Sequence, residues 1–378
     1  MEQNKLYANK LYMEDVRRVA GLPLLWEKLQ GRALMLSGAS GMIGSFLVDV
    51  IMQKNESGLS CHVYALGRDP ERLKKRFSGW EGSSFLHFIP YDVKCPIKAV
   101  PTDQEAPDRG SPKPDEMPET DERLFPSHMD YILHLASNTH PVQYATDPIG
   151  TITTNLTGLQ NMLDYAEHAK AVRVLFASSN EIYGENRGDV ELFTEDYCGY
   201  IDPNSLRAGY PESKRCGEAL CQAYRKAKGM DIVIPRLTRS YGPTMLMTDT
   251  KAISQFIKKG VAGEDIILKS EGTQLYSYTY VADAVSGLLT ILLSGKDGEA
   301  YNIADEASDI MLKDLADIIA SEAGKKVVFE LPDATESAGY SKATKARLDG
   351  SKCKALGWKP HYEIREGLER TIRILRQL

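Results

Sequence analysis

Cysteine is scarce: six in 378 residues (Cys61, Cys95, Cys198, Cys216, Cys221, Cys353), far apart and without a CxxC pair. Thiols so spaced in a chain of this size read as reduced, which excludes a disulfide-built scaffold and a zinc site. Long apolar runs are missing; none approaches the roughly 18 residues of a membrane-spanning helix. An excess of basic residues is missing too. With 46 Lys and Arg against 52 Asp and Glu, the net charge of −6 excludes a broad nucleic-acid-binding surface. The opening Met1-Glu2-Gln3-Asn4-Lys5 lacks a charged-then-apolar leader pattern, so the expected location is cytoplasmic. No internal repeat is visible. What remains is ordinary globular composition, 42% hydrophobic and 26% charged, with length for one large α/β domain and a smaller lobe.

Apolar strands alternate with helical patterns. Arg32–Ser37, His62–Leu66, Phe85–Ile89, Tyr131–Leu135 and Val172–Ala177 read as strands, and 153–168 reads as a helix between the last two. This alternation predicts a doubly wound parallel sheet of the Rossmann kind, with a smaller C-terminal α/β substrate lobe. Residues 1–30 read as a helical extension. Within it, 13–30 forms an amphipathic helix broken at Gly21–Pro23 and packed beside the first strand. The dinucleotide-binding domain is expected over 31–243 and the substrate lobe over 244–378, with contributions to the main sheet possible from 276–303. Residues 98–128 hold six prolines and eight acids and read as a solvated insertion.

Gly38-Ala39-Ser40-Gly41-Met42-Ile43-Gly44 follows the first strand and opens a helix. GxxGxxG in that context allows a tight turn, a close backbone approach to a pyrophosphate, and free N–H groups at a helix start. Gly38, Ser40, Gly41, Met42, Ile43 and Gly44 are therefore cofactor candidates. At the end of the second strand, where an acid would bind the ribose of NAD, the chain has Arg68. A guanidinium suits the 2′-phosphate of NADP or lies over the adenine; otherwise it is a solvated strand end. Asp69 is one place late for the ribose. Asp92, with Val93 beside it, follows the third strand and is placed for the adenine amine.

Tyr210-Pro211-Glu212-Ser213-Lys214 is YxxxK. On a helix, positions i and i+4 share a face, and a lysine cation beside a phenol lowers its pKa so that it can take a proton near neutrality. Upstream, Ser178-Ser179-Asn180-Glu181-Ile182-Tyr183-Gly184 lies at a strand end, where open α/β sheets place their ligands. His134 reads as a packed strand residue and no metal site is expected.

Together with Asp92-Val93, His134-Leu135-Ala136-Ser137, Asn155, Arg236, Ser240-Tyr241-Gly242-Pro243, Tyr280-Val281-Ala282-Asp283 and Leu356-Gly357-Trp358-Lys359-Pro360, these motifs resemble the extended short-chain dehydrogenase/reductases. The branch they resemble holds the nucleotide-sugar epimerases, 4,6-dehydratases and UDP-glucuronate decarboxylases. The resemblance spans roughly 31–375. It implies catalytic Ser179, Glu181, Tyr210 and Lys214, and a tightly bound NAD(P) contacted also by Leu135, Ala136, Ser137, Asn155, Tyr210 and Lys214. Arg68 favours NADP and the resemblance favours NAD. It implies a nucleotide-sugar substrate oxidised to a transient 4-keto sugar and then reduced again. Asn138, Thr139, His140, Arg207, Arg239 and Tyr276 are the substrate-side candidates.

Glu181 is shared with the dehydratases and decarboxylases. Asn180 stands where one dehydratase type has an acid, and an amide cannot donate that proton. Decarboxylation and 4,6-dehydration stay level, with epimerisation behind them and an NADP-dependent reductase of a small carbonyl compound as a separate class. Arg239 stands where such enzymes usually have Asn, and Tyr276 where they have Arg. The resemblance also implies a homodimer through the helices of Asn155 and Tyr210, with Leu156, Leu159, Leu163, Leu220 and Tyr224 on their apolar faces.

Overall fold

The structure, a computed structural model, describes residues 2–97, 125–139, 144, 146–330 and 344–378, with side chains from Lys5 onward. His140 and most of the expected insertion, 98–124, lie outside the described residues. The strands are β1 (Ala33–Ser37), β2 (His62–Gly67), β3 (Leu86–Pro90), β4 (Tyr131–His134), β5 (Arg173–Phe176), β6 (Ser178–Ser179), β7 (Ile232–Leu237), β8 (Arg239–Tyr241), β9 (Ile266–Leu268), β10 (Leu275–Tyr280), β11 (Ala300–Ile303), β12 (Asp309–Met311), β13 (Val327–Phe329) and β14 (Lys345–Ala346). The helices are α1 (Glu2–Ala8), α2 (Lys10–Ala20), α3 (Met42–Asn55), α4 (Pro70–Arg76), α5 (Pro148–His168), α6 (Gly209–Lys228), α7 (Ala252–Ala262), α8 (Val281–Ser294), α9 (Leu312–Ala323), α10 (Ser351–Ala355) and α11 (Ile364–Leu375).

The main sheet runs β3-β2-β1-β4-β5-β7-β11, with β6 paired to β7, and every pairing is parallel. Winding reverses between β1 and β4, and the crevice outside the carboxyl ends there is where such sheets bind ligands. Both faces are covered, so the strands are apolar throughout instead of alternating. In β1, Leu34 and Leu36 face one core and Met35 the other. Leu159 and Leu163 of α5 join Met35, Ile132 and Val174 in that second core. They are therefore not free to form a subunit interface, which corrects part of the expected dimer face.

Beyond β7 the chain builds a second sheet, β12-β10-β14 with β8 on β10, and a small β9–β13 pair. It also returns α8 and β11 to the main sheet, where β11 pairs with β7, so the chain passes between the two sheets in this segment.

The N-terminal segment differs from the expected single broken helix over 13–30. Two helices, α1 and α2, precede a short 3-10 turn at Trp26–Leu29, and α2 lies across α3 and α8, not beside a strand. Two buried carboxylates explain this. Asp49 of α3 accepts from Tyr7 Oη (2.9 Å), Trp80 Nε1 (2.7 Å) and Arg76 Nη2 (2.6 Å), and also from Tyr12 Oη. Asp15 of α2 accepts from Tyr280 Oη and Tyr362 Oη, both 2.6 Å, and pairs with Arg370 at 2.7 Å. One carboxylate fastens the segment to the dinucleotide side and the other to the C-terminal side.

Removing one partner of a buried ion pair leaves the other charge uncompensated, which costs about 3–5 kcal/mol. Asp49→Asn keeps the shape but strands the Arg76 charge. Denaturant unfolding of this variant is expected to show a loss in that range with an unchanged m-value.

Candidate active site

The glycine turn stands at the crevice. Gly38 has a φ of +76°, and a Cβ there would lie 2.8 Å from Ala136 N, so only glycine lets the turn meet the chain leaving β4. A Cβ on Gly44 would sit 2.3 Å from Gly38 O. Gly41 is the N-cap of α3 and offers its first N–H groups no side-chain acceptor. Ser40, Met42 and Ile43 line the same turn. Thr244 Oγ1 donates to Met42 O at 2.8 Å and ties the loop after β8 to it. This donor set suits a pyrophosphate.

Below the turn, Ser37 Oγ and His134 Nδ1 lie 2.8 Å apart across β1 and β4, and Ser37 also accepts from Ala136 N at 3.3 Å. Burial, with the Lys214 charge adding to it, pushes His134 down to about 3. The ring is neutral and structural, as its strand position implies. Leu135 and Ala136 follow as the half-buried floor of the crevice.

At the far end, Arg68 is exposed after β2, while Asp69 caps α4 by accepting from Arg72 N at 3.0 Å. Asp92 is half-buried after β3 and accepts from Lys94 N; Val93 beside it is buried against Gly158.

The expected catalytic residues come together at the ends of β5 and β6 and the first turns of α6. Lys214 is 2% exposed and donates to Ala177 O at 2.8 Å. Its Nζ lies 4.8 Å from the Phe176 ring centroid and 6.0 Å from that of Tyr210. Burial pulls it down to about 8. The structure corrects the expectation that the lysine sets the phenol low. Tyr210 is raised well above its ordinary value, first by burial and then by the charge of Glu181; Ser179, Arg207 and Ser137 act in the opposite sense. The physical reason is that desolvation of an anion in a dry site outweighs the neighbouring hydrogen bonds and cation.

Asn155 brackets this arrangement. It accepts from Ser137 Oγ (2.6 Å) and donates to Ser213 Oγ (2.8 Å), which donates in turn to Tyr210 O (2.8 Å). The end of β4 is thereby joined to α5 and α6.

Glu181 is held by Arg207, with Nη2 donating to Oε1 at 3.0 Å and Nη1 lying 2.8 Å from Oε2. The Arg207 guanidinium lies 4.8 Å from the ring centroid of Tyr144, which stacks on Tyr210 at 5.0 Å. Tyr144 is thus in contact with Tyr210 although the two lie 66 residues apart. Thr139 accepts from Lys251 Nζ at 3.3 Å, and Lys251 also pairs with Asp249 at 3.2 Å. Nothing in the sequence pattern marks Lys251. Asn138 is half-buried beside Thr139. Arg239 lies 3.6 Å from the ring centroid of Tyr276, so two positions 37 apart in sequence meet across β8 and β10.

Tyr210→Phe is expected to lower turnover about 10²- to 10⁴-fold, the usual contribution of a general base. Dinucleotide affinity, measured by titration of the same preparation, is expected to stay within about twofold of wild type, because the variant removes one hydroxyl and no cofactor-turn residue.

Comparison with known proteins agrees with this geometry. The sequence pattern of the NAD dependent epimerase/dehydratase family matches residues 116–304. UDP-glucuronic acid decarboxylase 6 of Arabidopsis thaliana is 31% identical over 341 residues, covering 89% of this chain and 86% of that protein. UDP-glucuronic acid decarboxylase 1 of Danio rerio is 29% identical over 364 residues, covering 96% and 77%. Among solved structures, a dTDP-glucose 4,6-dehydratase from Streptomyces venezuelae with NAD superposes with a TM-score of 0.70 at 23% identity, covering 91% of this chain and 97% of that one. A UDP-glucuronic acid 4-epimerase from Bacillus cereus gives 0.72 at 22%, covering 91% and 99%. These structural matches establish the fold.

Proposed function

The chain belongs to the NAD dependent epimerase/dehydratase family, and we propose that within it the protein decarboxylates a UDP-glucuronate-type nucleotide sugar through a transient 4-keto intermediate. The observation that carries the choice is the state of Glu181. A 4,6-dehydratase needs a carboxylate free to take the C5 proton and an acid to protonate the departing 6-hydroxyl. Here Glu181 is tied to a guanidinium through both oxygens, and its neighbour Asn180 is an amide. A 4-keto sugar carrying a carboxylate on C5 is a β-keto acid and loses carbon dioxide without a strong base. The decarboxylase relatives support the same choice.

The residues divide the work accordingly. The glycine turn, Ala136 and Ser137 would hold NAD(P), which when bound takes the C4 hydrogen as hydride and later returns it. Tyr210 takes the proton of the C4 hydroxyl, with Ser179 beside it to share that proton. When the C5–C6 bond breaks, carbon dioxide leaves and the bonding electrons form a C4–C5 enolate, whose oxygen the protonated Tyr210 stabilises; C5 then takes a proton from solvent, which restores the C4 ketone that is reduced again. The Glu181–Arg207 pair, with Tyr144 against both Arg207 and Tyr210, fixes the wall of the sugar site. Arg68 in place of an acid supports NADP as the dinucleotide, and the spent carboxylate of Asp69 supports it further.

Mass spectrometry of UDP-glucuronate incubated with the protein, without added dinucleotide, is expected to give a product lighter by one carbon dioxide. A product lighter by one water, or an isomer of unchanged mass, overturns the assignment. Glu181→Gln is expected to slow the reaction yet still yield the decarboxylated product. A stall with accumulating reduced-nicotinamide absorbance would instead assign dehydration.

We also propose a homodimer, seated on the starts of α5 and α6. Ile149 is 75% exposed and Leu206 69%, and Ile152, Leu156 and Leu206 line one groove there. Light scattering at low micromolar concentration is expected to give twice the 42.0 kDa chain mass, and Ile149→Asp with Leu206→Asp is expected to give the chain mass.

A further inference from the structure

Arg239 differs from Arg207 and Lys251, the two paired cations of the site. Glu181 is matched by Arg207 and Asp249 by Lys251. Arg239 has no carboxylate within ion-pairing distance among the described residues, although it is half-buried. Its plane is fixed by neutral contacts instead. One face lies on the buried Tyr276 ring at 3.6 Å. With the Asn180 amide turned to satisfy both of its ends, Asn180 Oδ1 accepts from Arg239 Nη1 at 2.9 Å and Asn180 Nδ2 donates to Leu237 O at 3.3 Å. A guanidinium stacked on one face and pinned at one edge has given up most of its rotamer freedom before any ligand arrives. Its remaining N–H groups then meet an anion at little further entropic cost.

The place of this group is also informative. Asn180 stands between Ser179 and Glu181, so the guanidinium is tethered one residue from the hydroxyl that serves Tyr210. β8 carries Arg239, and β10 carries Tyr276 two residues before Tyr278, the register partner of Arg239. Two strands of the second sheet thus deliver a cation and its aromatic platform to the end of the main sheet where the chemistry occurs.

We propose that Arg239, oriented by Tyr276 and Asn180, is the clamp for an anionic oxygen group of the substrate, a phosphate or the sugar's carboxylate. This rests on the nucleotide-sugar reading above. Asn180 thereby serves as the positioning residue of the clamp and not as a proton donor, and Tyr276 serves as its platform.

Calorimetric titration of the purified protein with UDP, UDP-glucose and UDP-glucuronate tests this. Arg239→Gln is expected to weaken binding about 10- to 100-fold, the range for a charge-assisted contact, with an unchanged melting temperature. Weakening on all three ligands assigns the clamp to the diphosphate, and weakening confined to UDP-glucuronate assigns it to the carboxylate. Tyr276→Leu is expected to weaken the same ligands by a smaller factor. Arg239→Asn with Tyr276→Arg, which returns a guanidinium to the same patch from the neighbouring strand, is expected to recover part of the loss. Equal affinity of wild type and Arg239→Gln for all three ligands overturns the clamp. If Arg239→Gln melts early, Arg239→Lys keeps the charge and stem, and affinity equal to wild type in that variant and in Tyr276→Leu likewise overturns it. A wild-type protein that binds none of the three overturns the substrate reading instead. The comparison is then made with inorganic pyrophosphate, where equal or absent binding by wild type and Arg239→Gln overturns the clamp too.

Discussion

A buried lysine cation that makes no ion pair among the described residues is the constraint around which the site is arranged. Lys214 is held by one carbonyl, that of Ala177, and by the face of Phe176. Such dipoles hold a cation only where they are fixed, so the end of β5 and the first turns of α6 must be locked together. The Ser137–Asn155–Ser213 chain does this. The same lock sets Tyr210 beside Ser179 and against Tyr144. A neutral His134 under the crevice follows from its burial, with the Lys214 charge acting in the same sense.

Charge pairing then narrows the chemistry. A free Glu181 would be a base, whereas a Glu181 gripped by Arg207 is a wall. Asp249 is likewise matched by Lys251, and the Lys251 ammonium reaches Thr139 on the loop after β4. The described acids nearest the reacting position are thus neutralised locally. An added negative charge in the site would therefore meet Arg239, whose partners are an amide and an aromatic ring. This pairing supports the proposed decarboxylation, since a β-keto acid loses carbon dioxide without a strong carboxylate base.

The N-terminal segment ties distant parts of the chain together. Asp15 and Asp49 are both buried and both saturated with donors, Asp49 joining α1 and α2 to α3 and Arg76, and Asp15 joining α2 to Tyr280 and Tyr362. The second sheet contributes Arg239 and Tyr276, so the relative placement of the lobes has a chemical consequence. Thr244 on Met42 adds a direct tie between the segment after β8 and the cofactor turn.

The sequence by itself determined the winding of the main sheet, since apolar strands alternating with helices have few parallel arrangements, and it located the glycine turn, because its spacing has a steric cause. It also determined that Tyr210 and Lys214 share a helix face, a matter of helical period alone. Only the tertiary structure decided what surrounds them. Burial, not the lysine, dominates the Tyr210 phenol, and burial is set by elements far apart in the chain. The faces of α5 divide between core and groove according to the sheet beneath them, which is why Leu159 and Leu163 are inside while Ile149 is not. The N-terminal helices were misplaced because their anchors, Asp49 and Tyr280, lie far along the chain. Arg239 and Tyr276 were separate departures in the sequence and became one contact in the fold, because parallel pairing of β8 with β10 is a non-local choice that no local pattern encodes.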